Sequence, residues 1–201
     1  GLNGWAIHHN ISIWREAYPS DGFVYWFFWN MSGPWLCNHI WEHYLFTKDV
    51  DFLKKYYPIL KGSATFCSEW LIENSKGELV TPVSTSPENA YLMPDDTPAS
   101  VCEGSTMDIA IIRSLFSNTI EASKILQTDR DFRSELIKKR SKLKGYQIGS
   151  KGQLLEWDKE YKESEPQHRH VSHLFGVYPG CDITDNTPEL FKAARKSLND
   201  R

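Results

Sequence analysis

The sequence predicts a mainly α-helical domain, in which helices are joined by long loops and strands are few. Apolar residues recur at helical spacing in several long stretches. Between these stretches lie segments rich in proline, glycine and polar residues, and no linker divides the 201 residues. Helix pairs at intervals of roughly 50 residues are typical of a helical toroid or an irregular α bundle. We therefore expect one fold unit over residues 1–201.

The first two helices are predicted in the region that follows residue 31. Ser32 is expected as the N-cap of the first helix, with Pro34 in its first turn. A second helical stretch runs from about Val50 to Glu73, and Pro58 either splits it or begins a new helix. Residues 1–31 are expected to be irregular.

The later helices are predicted from their start signals. Ser105 is expected to cap a third helix that runs to about Gln127. A fourth helix is predicted from about Asp129 to Leu143, and a last one begins at Thr187-Pro188-Glu189.

Two loop regions carry weak strand signals. A short strand is expected at residues 78–82, within the irregular region 74–104. A hairpin is expected at residues 146–157, around Ser150-Lys151-Gly152. The chain is therefore expected to contain short strands within its loops.

The composition excludes several classes of function. The net charge of −3 offers no basic field for nucleic acid. No apolar run approaches the ~18 residues that a membrane-spanning helix needs, so no membrane partner is expected. The four cysteines form no CxxC pair, so buried free thiols are expected, with a Cys37–Cys67 disulfide as the alternative.

Tryptophan and histidine are unevenly distributed along the chain. Six of the eight tryptophans lie in residues 1–41, where they either pack in the core or line a site for a ligand with apolar faces, such as a sugar. The seven histidines form three clusters. His39 and His43 stand four residues apart on a predicted helix, which is a metal-binding spacing, but the HExxH order is absent. Packing is the alternative for this pair.

The cluster at residues 168–173 favours sugar binding. Arg169 offers a planar fork of donors to a pair of hydroxyls or to a carboxylate. A neutral histidine such as His170 both donates and accepts, which suits vicinal hydroxyls. The alternative is an exposed polar loop.

Glu88 is a candidate general acid. A glycosidic oxygen leaves poorly unless it is protonated, and a carboxylic acid can supply that proton. The alternative is that Ser86-Pro87-Glu88 begins a short helix. A second carboxylate would act as nucleophile or direct water, and spacing does not choose among the candidates. These are Glu16, Glu42, Asp108 and Glu156.

Several short motifs follow one another along the whole chain. They are Gly4-Trp5-Ala6-Ile7-His8-His9-Asn10, Trp41-Glu42-His43-Tyr44, Ser86-Pro87-Glu88-Asn89, Gly104-Ser105-Thr106-Met107-Asp108, Leu154-Leu155-Glu156-Trp157, His168-Arg169-His170 and Tyr178-Pro179-Gly180. In this order they resemble glycoside hydrolase family 95, the α-L-fucosidases that act on α-1,2-linked fucose.

The resemblance implies a fold, a mechanism and a set of site residues. The fold is an (α/α)6 toroid with a few short strands in its loops, of which residues 1–201 form part. The implied activity is inverting exo-hydrolysis of a fucosylated oligosaccharide or glycan, with neither a metal nor an organic cofactor. Glu88 is implied as the general acid. The implied sugar contacts are Arg169, His170, His9, Asn10 and Trp29.

The resemblance also implies residues outside this sequence. In the family, a pair of asparagines polarised by an aspartate activates the water. The asparagines precede the His-His-Asn segment in the family, and no Asn-x-Asn occurs in this chain, so the pair is expected before residue 1. The aspartate follows the last helix in the family, so it is expected after Arg201. We therefore expect the chain alone to be inactive and poorly soluble, with exposed apolar surface. The full-length protein is expected to be secreted, periplasmic or cell-surface.

The sequence leaves three other functions open. Asn30-Met31-Ser32-Gly33 departs from the Pro-Met-Gly-Gly common in the family, which leaves an α-L-galactosidase as one alternative. A carbohydrate-binding or scaffold protein without catalysis is the second. A metal hydrolase that uses the histidines is the third.

Overall fold

The computed structural model describes residues 1–8, 12–16 and 22–201, and this part of the chain is mainly α-helical. Its α-helices are α1 (Ser32–Thr47), α2 (Val50–Trp70), α3 (Thr106–Ile125), α4 (Arg130–Lys142) and α5 (Pro188–Asp200). Short 3-10 helices form at Val24–Trp26 and Ser172–Gly176. The predicted fold class is therefore confirmed.

The strands are short and lie within the loops. Strand β1 (Ile72–Glu73) pairs antiparallel with β2 (Leu79–Val80), and Ile72 lies opposite Val80. Strand β3 (Tyr91–Leu92) lies between β4 (Pro98–Ala99) and β5 (Lys162–Glu163), both antiparallel to it. The predicted strand near residues 78–82 is therefore confirmed. The predicted hairpin at residues 146–157 is reduced to one antiparallel bridge between Ile148 and Leu154.

The start of α1 differs by one residue from the prediction. Met31, rather than Ser32, occupies the N-cap position, and no side chain caps the helix. Met31 is fully buried and forms a bridge with Ile7, so packing at Met31 brings the chain into the helix one residue early. Pro34 lies in the first turn, as predicted.

Helix α2 continues through Pro58 without a break. A proline inside a helix leaves the carbonyl four residues earlier without its N–H partner. Here that residue is Lys54, which is exposed like Pro58, so water is available to that side of the helix. Leu53 and Leu60 are fully buried on the opposite side and hold both halves against the core.

Helix α3 lies at the centre of the core and contacts α1, α2, α4 and the 3-10 helix Ser172–Gly176. Ile111, Ile112 and Phe116 on α3 are fully buried. Truncating such a phenylalanine to alanine typically costs about 3–5 kcal/mol. Ser105 caps α3 through its side chain, as predicted. The cap places the residues that follow it, Met107 and Asp108, at a defined position near the loops.

All four cysteines are free thiols; the prediction of buried free thiols is confirmed for three of them and is wrong for Cys181. Cys37, Cys67 and Cys102 are buried, and Cys181 is exposed. Burial raises the pKa of the Cys37 thiol to about 11, although a hydrogen bond with Ser63 opposes this shift. The alternative Cys37–Cys67 disulfide is wrong.

Trp5 fills the space between α1 and α2. Its indole N–H donates to the carbonyl of Ile59 at 3.1 Å. The ring lies against Gly33 of α1 and Gly62 of α2, where a Cβ would lie 2.4 and 2.6 Å from ring atoms. The two glycines thus allow the ring to enter. The inserted ring holds the N-terminal segment against both helices.

Large apolar side chains are exposed on the surface, as expected. The most exposed are Ile13, Trp14, Phe46 and Tyr178. Poor solubility of the isolated chain stays a prediction. Among the helices of the described residues, none has both the length and the apolar character needed to cross a membrane.

Candidate active site

A cleft of about 480 Å³ opens where the N-terminal segment, α1, the start of α3 and two loops meet. Its volume lies in the range of small-molecule sites, and most of its lining is apolar. The lining residues are Ile7, His8, Trp29, Ser32, Trp35, Leu36, Pro87, Glu88, Met107, His170 and Ser172.

Glu88 lies on a tight turn in the wall of this cleft. The N–H of Asn89 donates to the carbonyl of Ser86 at 2.8 Å, and no helix begins there. The alternative prediction, that Ser86-Pro87-Glu88 begins a short helix, is therefore wrong. The Ser86 hydroxyl donates to Glu156 instead of capping a helix. The Pro87–Glu88 peptide bond is cis. About one-third of the Glu88 side chain is exposed to solvent.

Arg169 and His170 both reach Glu88 from a loop 81 residues further along the chain. The Arg169 guanidinium donates a hydrogen bond to Oε2 of Glu88. Nε2 of His170 lies 3.5 Å from the same oxygen. His170 lines the cleft, whereas Arg169 is not one of the lining residues and is two-thirds exposed. The structure thus brings together three of the predicted site residues.

The remaining predicted residues belong to the N-terminal part of the chain. Trp29 lines the cleft. His9 and Asn10 lie outside the described residues, so their predicted roles stay predictions. Their neighbour His8 lines the cleft, and its ring packs against Phe28 with the centroids 5.3 Å apart.

The segment 168–173 is not the exposed polar loop that stood as its alternative. The His168 side chain is buried, and its Nδ1 lies 3.0 Å from a carboxylate oxygen of Glu165. Ser172 donates to the carbonyl of Pro87 at 2.8 Å, which ties this segment to the Glu88 turn. Burial lowers the pKa of His173, although the nearby Glu156 opposes that shift. Buried neighbours therefore hold the segment while Arg169 and His170 face the site.

None of the four candidate second carboxylates lines the cleft. Asp108 is fully buried and accepts hydrogen bonds from the Trp29 indole at 2.8 Å and the Ser84 hydroxyl at 2.5 Å. Burial raises the pKa of Asp108 to about 7, and both hydrogen bonds oppose this rise. Asp108 therefore holds a wall of the cleft.

Glu156 is also buried and holds the Glu88 turn. Its carboxylate accepts from Ser86 at 2.5 Å, from Asn89 at 3.0 Å and from Arg201 at 2.6 Å. The roles of Ser86 and Arg201 were missed from the sequence. The apolar residues on either side of Glu156, Leu155 and Trp157, are a sequence signal that this carboxylate is buried.

The sequence left open the hypothesis that the histidines bind a metal ion. In residues 1–8, 12–16 and 22–201, no three His, Cys, Asp or Glu side chains are arranged to hold a metal ion. His39 and His43 are exposed on α1. The His43 ring packs on Phe52 with centroids 3.8 Å apart, which supports the packing alternative for this residue.

Comparison with known proteins identifies the class to which this helical fold and cleft belong. The model of the glycosyl hydrolase family 95 catalytic domain matches residues 1–201. The chain belongs to this family.

Three curated relatives carry fucosidase names. Over 204 residues the chain is 44% identical to Alpha-L-fucosidase 2 of Arabidopsis thaliana, a match that covers 100% of this chain and 24% of that protein. Over 187 residues it is 30% identical to Probable alpha-fucosidase A of Aspergillus niger, covering 90% and 23%. Over 156 residues it is 32% identical to Probable alpha-fucosidase A of Aspergillus oryzae, covering 71% and 20%. The chain thus spans 20% to 24% of the length of these relatives.

Proposed function

We propose that the full-length enzyme containing this chain is an inverting exo-acting α-L-fucosidase that removes terminal α-1,2-linked fucose from glycans. One observation carries the proposal. The carboxyl of Glu88 lies in the wall of a sugar-sized cleft, beside Arg169 and His170. The fucosidase names of the relatives support the choice of sugar.

In this proposal Glu88 is the general acid. As the bond between the anomeric carbon and the glycosidic oxygen breaks, its electron pair stays on the oxygen, which takes the proton of Glu88. A water molecule attacks the anomeric carbon from the opposite face of the ring, which inverts the configuration. The asparagine pair that activates this water and the aspartate that polarises the pair, and to which the proton of the water passes, are proposed to lie outside residues 1–201.

Arg169 and His170 are proposed to bind hydroxyls of the sugar. Without substrate, the Arg169 guanidinium donates a hydrogen bond to the Glu88 carboxyl group. Because Arg169 is two-thirds exposed, its side chain is free to turn from Glu88 to the hydroxyls when a sugar enters. Binding of the sugar then frees the Glu88 carboxyl oxygen that Arg169 contacts in the empty cleft.

The apolar lining of the cleft favours fucose over galactose. Trp35, Leu36 and Met107 supply apolar surface beside Glu88 and His170. Fucose carries a methyl group where galactose carries a hydroxymethyl group. An apolar wall accepts the methyl, but it leaves the extra hydroxyl without a partner.

The test compares two substrates in the full-length enzyme. The glycosidic oxygen of 2'-fucosyllactose is a poor leaving group and needs a proton from the general acid. The fluoride of α-L-fucosyl fluoride leaves without protonation. Glu88→Gln is expected to lower turnover of 2'-fucosyllactose by ~10²–10⁴-fold and that of α-L-fucosyl fluoride far less. Glu103→Gln is the matched control, because Glu103 is exposed and does not line the cleft.

Three results would overturn the proposal. Near-normal hydrolysis of 2'-fucosyllactose by Glu88→Gln would remove Glu88 as the acid. If proton NMR shows α-L-fucose as the first product, the mechanism is not inverting. Binding of the glycan without release of fucose by the full-length protein would favour the carbohydrate-binding alternative.

A further inference from the structure

We propose that Glu156 positions Glu88, and that the ion pair between Glu156 and Arg201 joins the turn that carries Glu88 to the segment that carries Arg169 and His170. This inference rests on the proposed role of Glu88 as general acid. Glu156 does not line the cleft, so it acts through Glu88 and not on the sugar.

The Glu156 carboxylate holds both ends of the turn that carries Glu88. Oε1 accepts from the Ser86 hydroxyl at 2.5 Å, and Oε2 accepts from the Asn89 side-chain amide at 3.0 Å. Ser86 and Asn89 flank Pro87-Glu88 and are themselves buried. Because hydrogen bonds hold the turn at both ends, the backbone of Glu88 between them has a fixed orientation. A proton donor needs a fixed orientation toward the oxygen that it protonates.

Arg201 extends this network to the segment that carries Arg169 and His170. Its Nη2 donates to Glu156 at 2.6 Å, and its Nη1 donates to the carbonyls of Glu165 and Pro166 at 3.1 and 3.2 Å. Those two carbonyls precede the segment with Arg169 and His170. The Arg201 guanidinium thus links the Glu88 turn to the segment with Arg169 and His170, beside the hydrogen bond from Ser172 to the Pro87 carbonyl.

The pair is well shielded from water, with side-chain exposures of 7% for Glu156 and 9% for Arg201. Glu156 is also fixed through its backbone, because its carbonyl accepts from Thr106 N–H at 3.0 Å, at the first residue of α3. A buried ion pair often contributes no more to stability than apolar residues of the same volume would. The several hydrogen bonds made by this pair therefore favour a role in positioning the Glu88 turn over a role in stabilising the fold.

The test uses the same two substrates and the full-length enzyme. Because Glu156 acts through proton donation, Glu156→Gln is expected to lower turnover of 2'-fucosyllactose by ~10²-fold or more and that of α-L-fucosyl fluoride by less than ~10-fold. Adding Glu156→Gln to Glu88→Gln is expected to cause little further loss with 2'-fucosyllactose, because both changes remove one function.

A milder variant keeps the proposal testable if Glu156→Gln does not fold. Ser86→Ala removes one hydrogen bond to Glu156 and leaves its pair with Arg201 intact. We expect the same preference for the fluoride substrate, with a smaller loss. Ser150→Ala is the matched control, because Ser150 also donates to a glutamate, Glu160, but at an exposed site outside the cleft.

Two results would overturn the inference in different ways. Equal losses with both substrates in Glu156→Gln and Ser86→Ala, while Glu88→Gln still separates them, would leave Glu156 with a purely structural role and Glu88 as the acid. If Glu88→Gln itself fails to separate the substrates, the proposed function fails and this inference fails with it.

Discussion

The indole N–H of Trp29 donates a 2.8 Å hydrogen bond to Asp108, and so joins the wall of the cleft to a fully buried carboxyl group on α3. The second carboxyl oxygen accepts from Ser84 at 2.5 Å. Burial penalises the charged form, so the pKa of Asp108 rises from 3.8 to about 7 against the effect of both hydrogen bonds.

The first prediction is that Asp108 makes the protein less stable as pH rises from about 4 to about 7. Over this range the unfolded chain has lost the proton while the folded chain still holds it, so stability falls with pH. Each unit of pKa shift corresponds to about 1.4 kcal/mol, so the effect is on the order of 4 kcal/mol. Above pH 7 the contribution no longer changes.

Asp108→Asn is expected to remove this pH dependence. An amide oxygen still accepts from Trp29, and the amide N–H can donate to Ser84. The free energies of unfolding of wild type and Asp108→Asn should be similar near pH 4, and the variant should be the more stable one near pH 8. A constant difference across this range would show that Asp108 is charged in the folded protein throughout.

The second prediction separates the sugar binding proposed for Arg169 from the proton donation proposed for Glu88. Arg169→Ala should lower kcat/KM by ~10–100-fold, the effect of charge-assisted hydrogen bonds. The loss should be the same for 2'-fucosyllactose and α-L-fucosyl fluoride, because both carry the same sugar. Arg169→Lys should recover only part of it, since an ammonium lacks the planar fork. A loss confined to 2'-fucosyllactose would instead place Arg169 in proton transfer.

The third prediction concerns two histidines in different settings. His170 lines the cleft beside Glu88, whereas His39 is exposed on α1. His170→Ala should raise KM for fucosides by ~3–10-fold, as the loss of a neutral hydrogen bond would. His39→Ala should leave KM and the unfolding midpoint unchanged. Similar effects of both substitutions on KM would contradict a specific contact by His170.

The helices were predictable because their signals are local. The Ser105 side chain caps α3, and Pro188 begins α5, both within a few residues of the pattern that predicts them. The start of α1 depends on the burial of Met31 and its bridge to Ile7, which are distant in sequence. Local signals cannot report such long-range packing, so the N-cap was misplaced by one residue.

The roles of the acidic residues needed the structure. Asp108 and Glu156 were indistinguishable as candidate second carboxylates, since a carboxylate's role depends on partners far along the chain. Trp29 lies 79 residues from Asp108, and Ser86 lies 70 residues from Glu156. The order of motifs predicted Glu88 with Arg169 and His170, whereas spacing alone did not.

The last prediction uses the tryptophan between α1 and α2. Replacing a glycine inside a helix by alanine normally stabilises the helix by about 1 kcal/mol. At Gly62 the sign should reverse, because the added Cβ would lie 2.6 Å from Cδ1 of Trp5 and must displace the ring. Gly62→Ala should therefore lower the unfolding midpoint.

Gly145→Ala is the matched control, because nothing lies within 4 Å of a Cβ at Gly145. Trp5 precedes Ile7 and His8, which line the cleft, so a displaced ring should also shift these two residues. We therefore expect Gly62→Ala to raise KM for 2'-fucosyllactose and Gly145→Ala to leave it unchanged. A lower midpoint with an unchanged KM would show that Trp5 supports the two helices without positioning the cleft.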